Sequence, residues 1–193
     1  VYSWNGSSWS QLGSDIDGEA AGDQFGFSVS LDSDGDRLAV GGNQNDANGS
    51  NTGHVRVYSW GGSSWSQLGS DIDGETGSDL FGYSVSLDSD GDRVAIGGAR
   101  NGGTASDAGH VRVYSWNGSS WSQLGSDIDG EASGDQLGSS VSLDADGNRV
   151  AIGARFNDGT ASNAGHVRIY EYSSSSWSQL GSDIDGEASN DYS

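Results

Sequence analysis

Alternating apolar and polar residues mark one β-hairpin that recurs along the chain. Residues 25–31 read FGFSVSL, in which every second residue is apolar. This is the period of a strand with one apolar face. The dipeptide Asp34-Gly35 follows and favours a two-residue type I′ turn, and residues 37–41 return as the partner strand. The pattern predicts a tight β-hairpin with an acidic tip.

This hairpin is half of an internal repeat. Similar hairpin sequences begin at Asp23, Asp79 and Asp135, at intervals of 56 residues. A second hairpin pattern spans residues 1–16, with Asn5-Gly6 at its turn. Its copies span residues 57–72, 113–128 and 169–184. We name the strands of the first hairpin a and b, and those of the second c and d, so that a full repeat is a-b-c-d.

Each repeat carries apolar residues on both faces of its sheet. Val55 and Val57 lie to one side of strand c, and Tyr58 and Trp60 to the other. A sheet that is apolar on both faces must be covered on both, and face-to-face stacking of sheets around an axis achieves this. We therefore predict an all-β fold of β-propeller-type repeats: four-stranded antiparallel blades of 56 residues, three full blades plus one hairpin. A β-solenoid is the alternative, although its coils are shorter and lack two tight hairpins per repeat.

The repeat boundaries follow from this pattern. Residues 1–193 form a single repeat domain or a segment of a larger propeller, and an unpaired hairpin and apolar terminal blades would favour association. We therefore expect a longer repeat chain or an assembly of copies. The parts are a c-d hairpin of a preceding blade at 1–16, repeats at 17–72, 73–128 and 129–184, and the start of the next linker at 185–193.

The amino-acid composition limits the classes of partner that the chain is expected to bind. The formal net charge of −20 argues against binding to nucleic acid or anionic membranes. No stretch is long and apolar enough to predict membrane insertion, and the absence of Cys rules out disulfides. Despite 33 Gly, the seven Trp and seven Tyr in regular apolar patterns indicate a folded chain rather than disorder. An acidic, Lys-free surface suits salty or calcium-containing surroundings, so we expect an extracellular or cell-surface location.

The repeated motif resembles the FG-GAP repeats of the integrin α-chain β-propeller and their bacterial relatives. The resemblance rests on Gly18-Glu19, Asp23, Phe25-Gly26, Ser28-Val29 and residues 39–42 (AVGG), with counterparts in the other two full repeats. A weaker resemblance to WD40 blades, which are about 40–45 residues long, also implies a propeller. Calcium-binding FG-GAP blades carry acids at loop positions one, three, five and nine. Asp32, Asp34 and Asp36 match the first three, but Arg37 and Val40 depart from that pattern.

The acidic residues concentrate in the d-a loops, which begin with the motif DIDGE, and in the a-b turns. Crowded carboxylates repel one another unless cations or water screen them, and Ca²⁺ prefers oxygen ligands. We predict that the DIDGE loops are the better calcium site, with a solvated acidic face as the alternative. The twelve candidate ligands are Asp15, Asp17, Glu19, Asp23, Asp71, Asp73, Glu75, Asp79, Asp127, Asp129, Glu131 and Asp135.

The b-c loops differ most between repeats. They span residues 43–52, 99–108 and 154–164, and the strand directions place them beside the DIDGE loops. Arg100, Arg155 and Phe156 are the basic or large apolar side chains in these loops, so we predict that they bind a partner.

Two further sets of residues are interpreted as structural. His54, His110 and His166 open strand c at identical repeat positions, without the asymmetry that a catalytic triad needs. The tryptophans of strand d could stack on sugars, but their regular spacing favours a core between blades; they are Trp9, Trp65, Trp121 and Trp177.

The sequence thus predicts a non-catalytic extracellular binding or adhesion scaffold for a protein or glycan ligand, with calcium as a possible cofactor. The alternatives are a carbohydrate-binding, lectin-like propeller and a structural repeat array or filament subunit.

Overall fold

The computed structural model describes residues 1–192. Ser193, the last residue of the predicted linker at 185–193, lies outside the described residues. The described chain is all-β, as predicted, and forms one small two-stranded sheet and three larger antiparallel sheets. The small sheet pairs β1 (Tyr2–Trp4) with β2 (Trp9–Gln11).

The three larger sheets repeat one pattern, in the order a-b-c-d. The first contains β3 (Phe25–Leu31), β4 (Arg37–Gly42), β5 (His54–Trp60), β6 (Trp65–Gln67) and β7 (Ile72–Asp73). The second contains β8 (Phe81–Leu87), β9 (Arg93–Gly98), β10 (His110–Trp116), β11 (Trp121–Gln123) and β12 (Ile128–Asp129). The third contains β13 (Leu137–Leu143), β14 (Arg149–Ala154), β15 (His166–Ser173), β16 (Ser176–Gln179) and β17 (Ile184–Asp185).

The a-b turn differs from the predicted type I′ turn. A type I′ turn needs positive φ at both central residues, but Gly35 has a φ of 73° whereas Asp34 is not in the left-handed region. The loop is longer than two residues, because the last strand pair is Leu31 with Leu38. The Asp32 carboxylate closes it by accepting the backbone N–H groups of Asp36 and Arg37 at 3.0 and 3.1 Å.

Strand d is broken into two short segments rather than continuous. In the first sheet, Trp65 pairs with Trp60 on β5, whereas Ile72 pairs with Val55 further along the same strand. The intervening turn contains Gly69, whose φ of 73° places it in the left-handed region. The first aspartate of the DIDGE loop therefore projects from an irregular segment beside strand c.

Successive sheets stack through strand a. Gly82, in a bulge of β8, has a φ of 86°, and a side chain there would lie 2.6 Å from the His54 carbonyl oxygen. The carbonyl oxygen of Gly82 accepts a hydrogen bond of 2.7 Å from Ser28 Oγ of the preceding repeat. Ser84 makes the same contact with Gly138 at 2.8 Å. The Phe-Gly motif thus provides a close backbone approach between blades.

The apolar core lies between the sheets, as stacking blades require. Val55 and Val57 of the first large sheet pack with Val85, Leu87 and Ile96 of the second. A second cluster joins Val111 and Val113 to side chains of the third sheet, among them Leu137 and Ile152. The propeller-type stacking predicted from the two-faced apolar pattern is confirmed. No helix in residues 1–192 is long and apolar enough to cross a bilayer.

Candidate functional site

The loop face is the end of the stacked sheets that carries the b-c loops, 43–53, 99–109 and 155–165, and the d-a loops that begin with DIDGE. The two loop types lie side by side. Backbone N–H groups of Ser78 and Leu80 donate to the carbonyl oxygens of Ser50 and Asn51 at 2.8 and 3.2 Å. Each b-c loop is therefore fixed by the d-a loop that follows it in the chain.

The first acid of three of the four DIDGE loops binds an arginine of the preceding strand c. Arg112 donates from Nε and Nη2 to the two carboxylate oxygens of Asp127, at 3.0 and 2.7 Å, and the Gln123 side-chain amide adds a third bond at 2.7 Å. Arg56 with Asp71 and Arg168 with Asp183 repeat this geometry. Asp15, the first acid of the first loop, accepts from Gln11 at 2.8 Å.

The third acid of three of the loops reaches the arginine on the strand c that follows it in the chain. Glu75 forms an ion pair with Arg112, and the equivalent pairs are Glu19 with Arg56 and Glu131 with Arg168. Each guanidinium thus joins two successive acidic loops. It supplies positive charge where the sequence analysis predicted a metal ion.

Ionisation of these acids reflects their different partners. The hydrogen bond from Arg168 holds the pKa of Asp183 below its ordinary value, against the opposing effect of burial. Burial raises the pKa of Asp73, and the nearby Asp71 charge raises it further. Asp129 shows the same upward shift for the same reasons, with Asp127 as the neighbouring charge. In the second and third DIDGE loops, the second acid is therefore the one whose charge is least compensated.

The strand c histidines lie against the same acids. His110 is fully buried, and its Nδ1 is 3.6 Å from the Asp127 carboxylate. Its Nε2 faces Gly98, where a side chain would approach to 2.7 Å. Three groups place their ligand atoms within 4.8 Å of one another and could hold a metal ion: Glu19, His54 and Asp71; His110, Asp127 and Asp129; His166, Asp183 and Asp185.

Sequence reasoning missed the histidines as members of these groups. It treated GHVRVY and DIDGE as separate motifs, although each recurs once per repeat. The signal lay in strand pairing, because His54 faces Asp73 and His110 faces Asp129 in the ladder. The structural role assigned to the histidines also holds, since each opens a strand c and is buried.

The fourth acid of each loop has a different environment. Asp79 accepts hydrogen bonds from the Thr76 backbone N–H at 2.9 Å and the Thr76 hydroxyl at 2.7 Å. Asp23 and Asp135 are also buried and accept from Asn45 and Asn157, each at 2.9 Å. Asp23 and Asp135 thereby tie the d-a loop to the b-c loop of the same repeat, and Asp79 does so through its backbone carbonyl oxygen, which accepts from the Arg100 N–H at 3.1 Å. These three aspartates are not members of the three potential metal groups found in residues 1–192.

The predicted partner-binding residues lie at a cavity on the loop face. The cavity has a volume of about 320 Å³ and is lined by residues of three successive repeats, including Phe27, Tyr83, Arg100 and Arg155. Phe156 stands beside it, with its ring centroid 4.7 Å from the Arg155 guanidinium carbon. The structure therefore brings Arg100 and Arg155 together, with Phe156 as a neighbour of Arg155 rather than part of the wall.

The strand d tryptophans lie between blades. The indole N–H of Trp121 donates to the Leu68 carbonyl oxygen of the preceding repeat at 2.9 Å, and Trp65 and Trp177 make equivalent bonds at 3.1 and 2.8 Å. Trp121 and Trp177 also pack against the apolar clusters between the sheets. The core role is confirmed for these three, whereas Trp9 is 66% exposed.

These features define a β-propeller-type repeat protein with acidic loops on one face. The FG-GAP repeat family matches residues 15–58, which confirms the resemblance seen in the sequence. No curated protein matches the chain.

Solved structures share the fold at low sequence identity. Sqt1 of Saccharomyces cerevisiae is 16% identical with a TM-score of 0.52; the match covers 86% of this chain and 37% of that one. Hydrazine synthase of Kuenenia stuttgartiensis is 13% identical with a TM-score of 0.50; the match covers 82% of this chain and 36% of that one. The chain thus spans well under half the length of either structure, and the likeness concerns the propeller-like fold alone.

Proposed function

We propose that this chain is part of a non-catalytic, extracellular binding or adhesion scaffold that recognises its partner with the loop face. The cavity between the b-c loops carries the proposal. Its wall combines residues of three repeats, and half of them lie in the b-c loops, where the repeats differ most in sequence. Concave sites with aromatic side chains and a few fixed polar groups are typical of ligand binding.

The scaffold around the cavity is well suited to holding variable loops. Each b-c loop is fixed by backbone bonds to the following d-a loop and by the buried aspartate of its own repeat. Loops held on a rigid framework can change sequence without loss of the fold, which is why binding residues concentrate there. The repeated hydrogen bonds therefore support binding rather than chemistry as the role of this face.

An array of immobilised glycans and peptides tests the proposal. The wild-type chain is compared with the triple variant Arg100→Ser, Arg155→Ser and Phe156→Ser, and with Asp34→Asn on the opposite a-b turn as the control. We expect at least one immobilised probe to bind the wild type and the control but not the triple variant, whose melting temperature should be unchanged. If the triple variant binds every probe that the wild type binds, recognition lies elsewhere on the molecule.

Self-association is a second part of the proposal, supported by one exposed apolar surface. Val29 and Leu31 of β3 are 62% and 48% exposed, whereas the equivalent Val85 and Leu87 of β8 are buried against the preceding sheet. A second copy of the chain could cover this surface in the way one repeat covers the next. Sedimentation velocity should show association of the 193-residue protein that the double variant Val29→Asn and Leu31→Asn abolishes; a monomeric wild type at high concentration would contradict it.

A further inference from the structure

The cavity on the loop face differs in charge from the rest of the molecule. The chain has 28 acidic residues against eight arginines. The twelve residues that line the cavity, all in the described part of the chain, include Arg100 and Arg155 and no acid. This is a local excess of positive charge in a strongly negative protein, and it favours an anionic group.

Arg100 and Arg155 lack the carboxylate partner that five of the other six arginines have in the described residues. Arg56, Arg112 and Arg168 each bind two carboxylates, and Arg149 pairs with Glu171. Within residues 1–192, neither Arg100 nor Arg155 forms a salt bridge with a carboxylate. Their positive charge remains available to a ligand.

Arg155 is held in position by neutral groups. Its Nε and Nη2 donate to the Gln136 side-chain oxygen at 3.2 and 2.9 Å. Its guanidinium carbon also lies 5.5 Å from the centre of the Tyr83 ring and 4.7 Å from that of Phe156. Cation–π contacts and a neutral acceptor restrict the side chain without neutralising it. A guanidinium fixed in this way is preorganised to bind a carboxylate.

The other residues of the cavity wall suit a ligand that carries hydroxyl groups on a ring. Five amide side chains contribute to it, those of Gln24, Asn43, Gln44, Asn51 and Gln136. Asn43 is 2% exposed, and its Oδ1 is buried without a hydrogen-bond partner in the described residues. Amide side chains both donate and accept hydrogen bonds, as sugar hydroxyls do, so the four other amides suit such groups. Phe27 and Tyr83, with ring centroids 5.0 Å apart, add an aromatic surface on which an apolar sugar face can stack.

We propose that the cavity binds a carboxylate-bearing saccharide of the uronic acid type, with its carboxylate on Arg155 and Arg100 and its hydroxyls on the amide side chains. The volume of about 320 Å³ lies at the lower end of the range for ligand pockets, which suits a mono- or disaccharide. An acidic peptide matches less well, because it brings more negative charge towards a chain of net charge −20 and offers fewer hydroxyls. This inference rests on the proposed binding function of the loop face.

Isothermal titration calorimetry with digalacturonate tests the inference. The matched ligand is the dimethyl ester of the same disaccharide, which keeps the rings and hydroxyls but lacks the charges. We expect the acid to bind at least tenfold more tightly than the ester, a difference of about 1.4 kcal/mol. Equal affinity for the two ligands, or no heat with either, would overturn the assignment of the ligand class.

Protein variants locate the binding. Arg155→Gln should weaken digalacturonate binding at least tenfold, and Arg155→Lys should weaken it less because the charge remains. Arg149→Gln is the matched control, since it removes the same charge at an exposed pair away from the cavity, and it should bind like the wild type. Binding that Arg155→Gln leaves unchanged would overturn the inference.

The two levels of the proposal remain distinguishable. If a peptide or neutral glycan on the array requires the loop-face residues while digalacturonate does not bind, the ligand class is wrong and the scaffold function stands. If no probe depends on those residues, both are wrong.

Discussion

Ser84 Oγ donates a hydrogen bond of 2.8 Å to the carbonyl oxygen of Gly138, a residue of the next repeat. The contact depends on Gly97, which lies on the strand between them: a side chain at Gly97 would meet that carbonyl oxygen at 2.1 Å and Ser84 Oγ at 2.5 Å. Two glycines and a serine therefore set the distance at which one blade approaches the next.

Gly97→Ala should destabilise the stacked repeats by about 2 kcal/mol, as overpacking of a tight contact does. Gly153→Ala is the matched control, because a side chain there would meet Ser140 Oγ at 2.4 Å but no backbone of another repeat. Chemical denaturation should show a clearly larger loss for Gly97→Ala. Equal losses would mean that the approach of the two repeats does not limit this position.

The two carboxylate partners of Arg112, Asp127 and Glu75, should contribute unequally to the free energy of unfolding. Arg112 is buried, so Arg112→Gln leaves Asp127 without its bidentate partner and should cost about 3 kcal/mol. The Glu75 side chain is 55% exposed, so Glu75→Gln should cost less than about 1 kcal/mol. Urea denaturation of both variants provides the comparison. A cost for Glu75→Gln as large as that for Arg112→Gln would contradict this description.

The histidines should make stability depend on pH below neutrality. Burial lowers the pKa values of His54 and His166 below their ordinary value, and the adjacent Arg56 and Arg168 charges lower them further. The unfolded chain therefore binds protons first, so stability is complete above a pH of about 6.5 and falls as the pH drops towards the folded-state pKa values. The raised pKa values of Asp73 and Asp129 act in the opposite direction, but closer to the ordinary aspartate range.

Melting temperatures at pH 7.5, 6.5 and 5.5 measure this effect. The wild type should lose stability across the series, and the double variant His54→Gln and His166→Gln should show a flatter slope whatever its absolute stability. An identical slope in the variant would assign the pH dependence to other groups.

Calcium stabilisation remains a prediction from the sequence, and the structure indicates where to test it. Around Arg56, one guanidinium faces the carboxylates of Glu19, Asp71 and Asp73, so negative charge remains uncompensated. Calcium at 100 times its dissociation constant would add about 2.7 kcal/mol to the free energy of unfolding. Millimolar calcium should raise the melting temperature relative to sodium chloride of equal ionic strength.

The double variant Asp73→Asn and Asp129→Asn is the control for calcium, because it removes the two acids whose charge is least compensated. The rise in melting temperature should shrink in this variant. If calcium has no effect on the wild type, the arginines alone balance the acidic loops; if it stabilises both proteins equally, the ion binds elsewhere.

Much of the fold could be predicted because its signals are local and periodic. The alternation in residues 25–31 and the two-faced pattern around Val55 and Tyr58 define strands that must be covered on both sides. The type I′ turn predicted at Asp34-Gly35 is wrong because the Asp32 carboxylate closes a longer loop. Dipeptide preferences do not reveal such a side-chain contact. The break in strand d was missed because both segments pair with the same strand c.

The candidate sites were harder to predict because their contacts join residues that are far apart in the chain. Glu75 lies in the d-a loop that leads into the second large sheet, whereas Arg112 lies on strand c of that sheet, so their side chains meet only in the folded structure. Arg100 and Arg155 could be singled out from the variable loops, but the preorganisation of Arg155 by Gln136 depends on the chain path across the loop face. Periodicity identifies the elements, whereas stacking decides which polar side chains meet.

The most direct test of recognition through the loop-face cavity is to map where a ligand binds. Titration of ¹⁵N-labelled protein with digalacturonate, followed by amide chemical shifts, should perturb residues around Asn43, Tyr83, Arg100 and Arg155 and leave the a-b turns around Asp34 and Asp90 unchanged. The Arg155→Gln variant should show a much weaker response at the same ligand concentration. Perturbations confined to the a-b turns, or none at saturating ligand, would contradict recognition through this cavity.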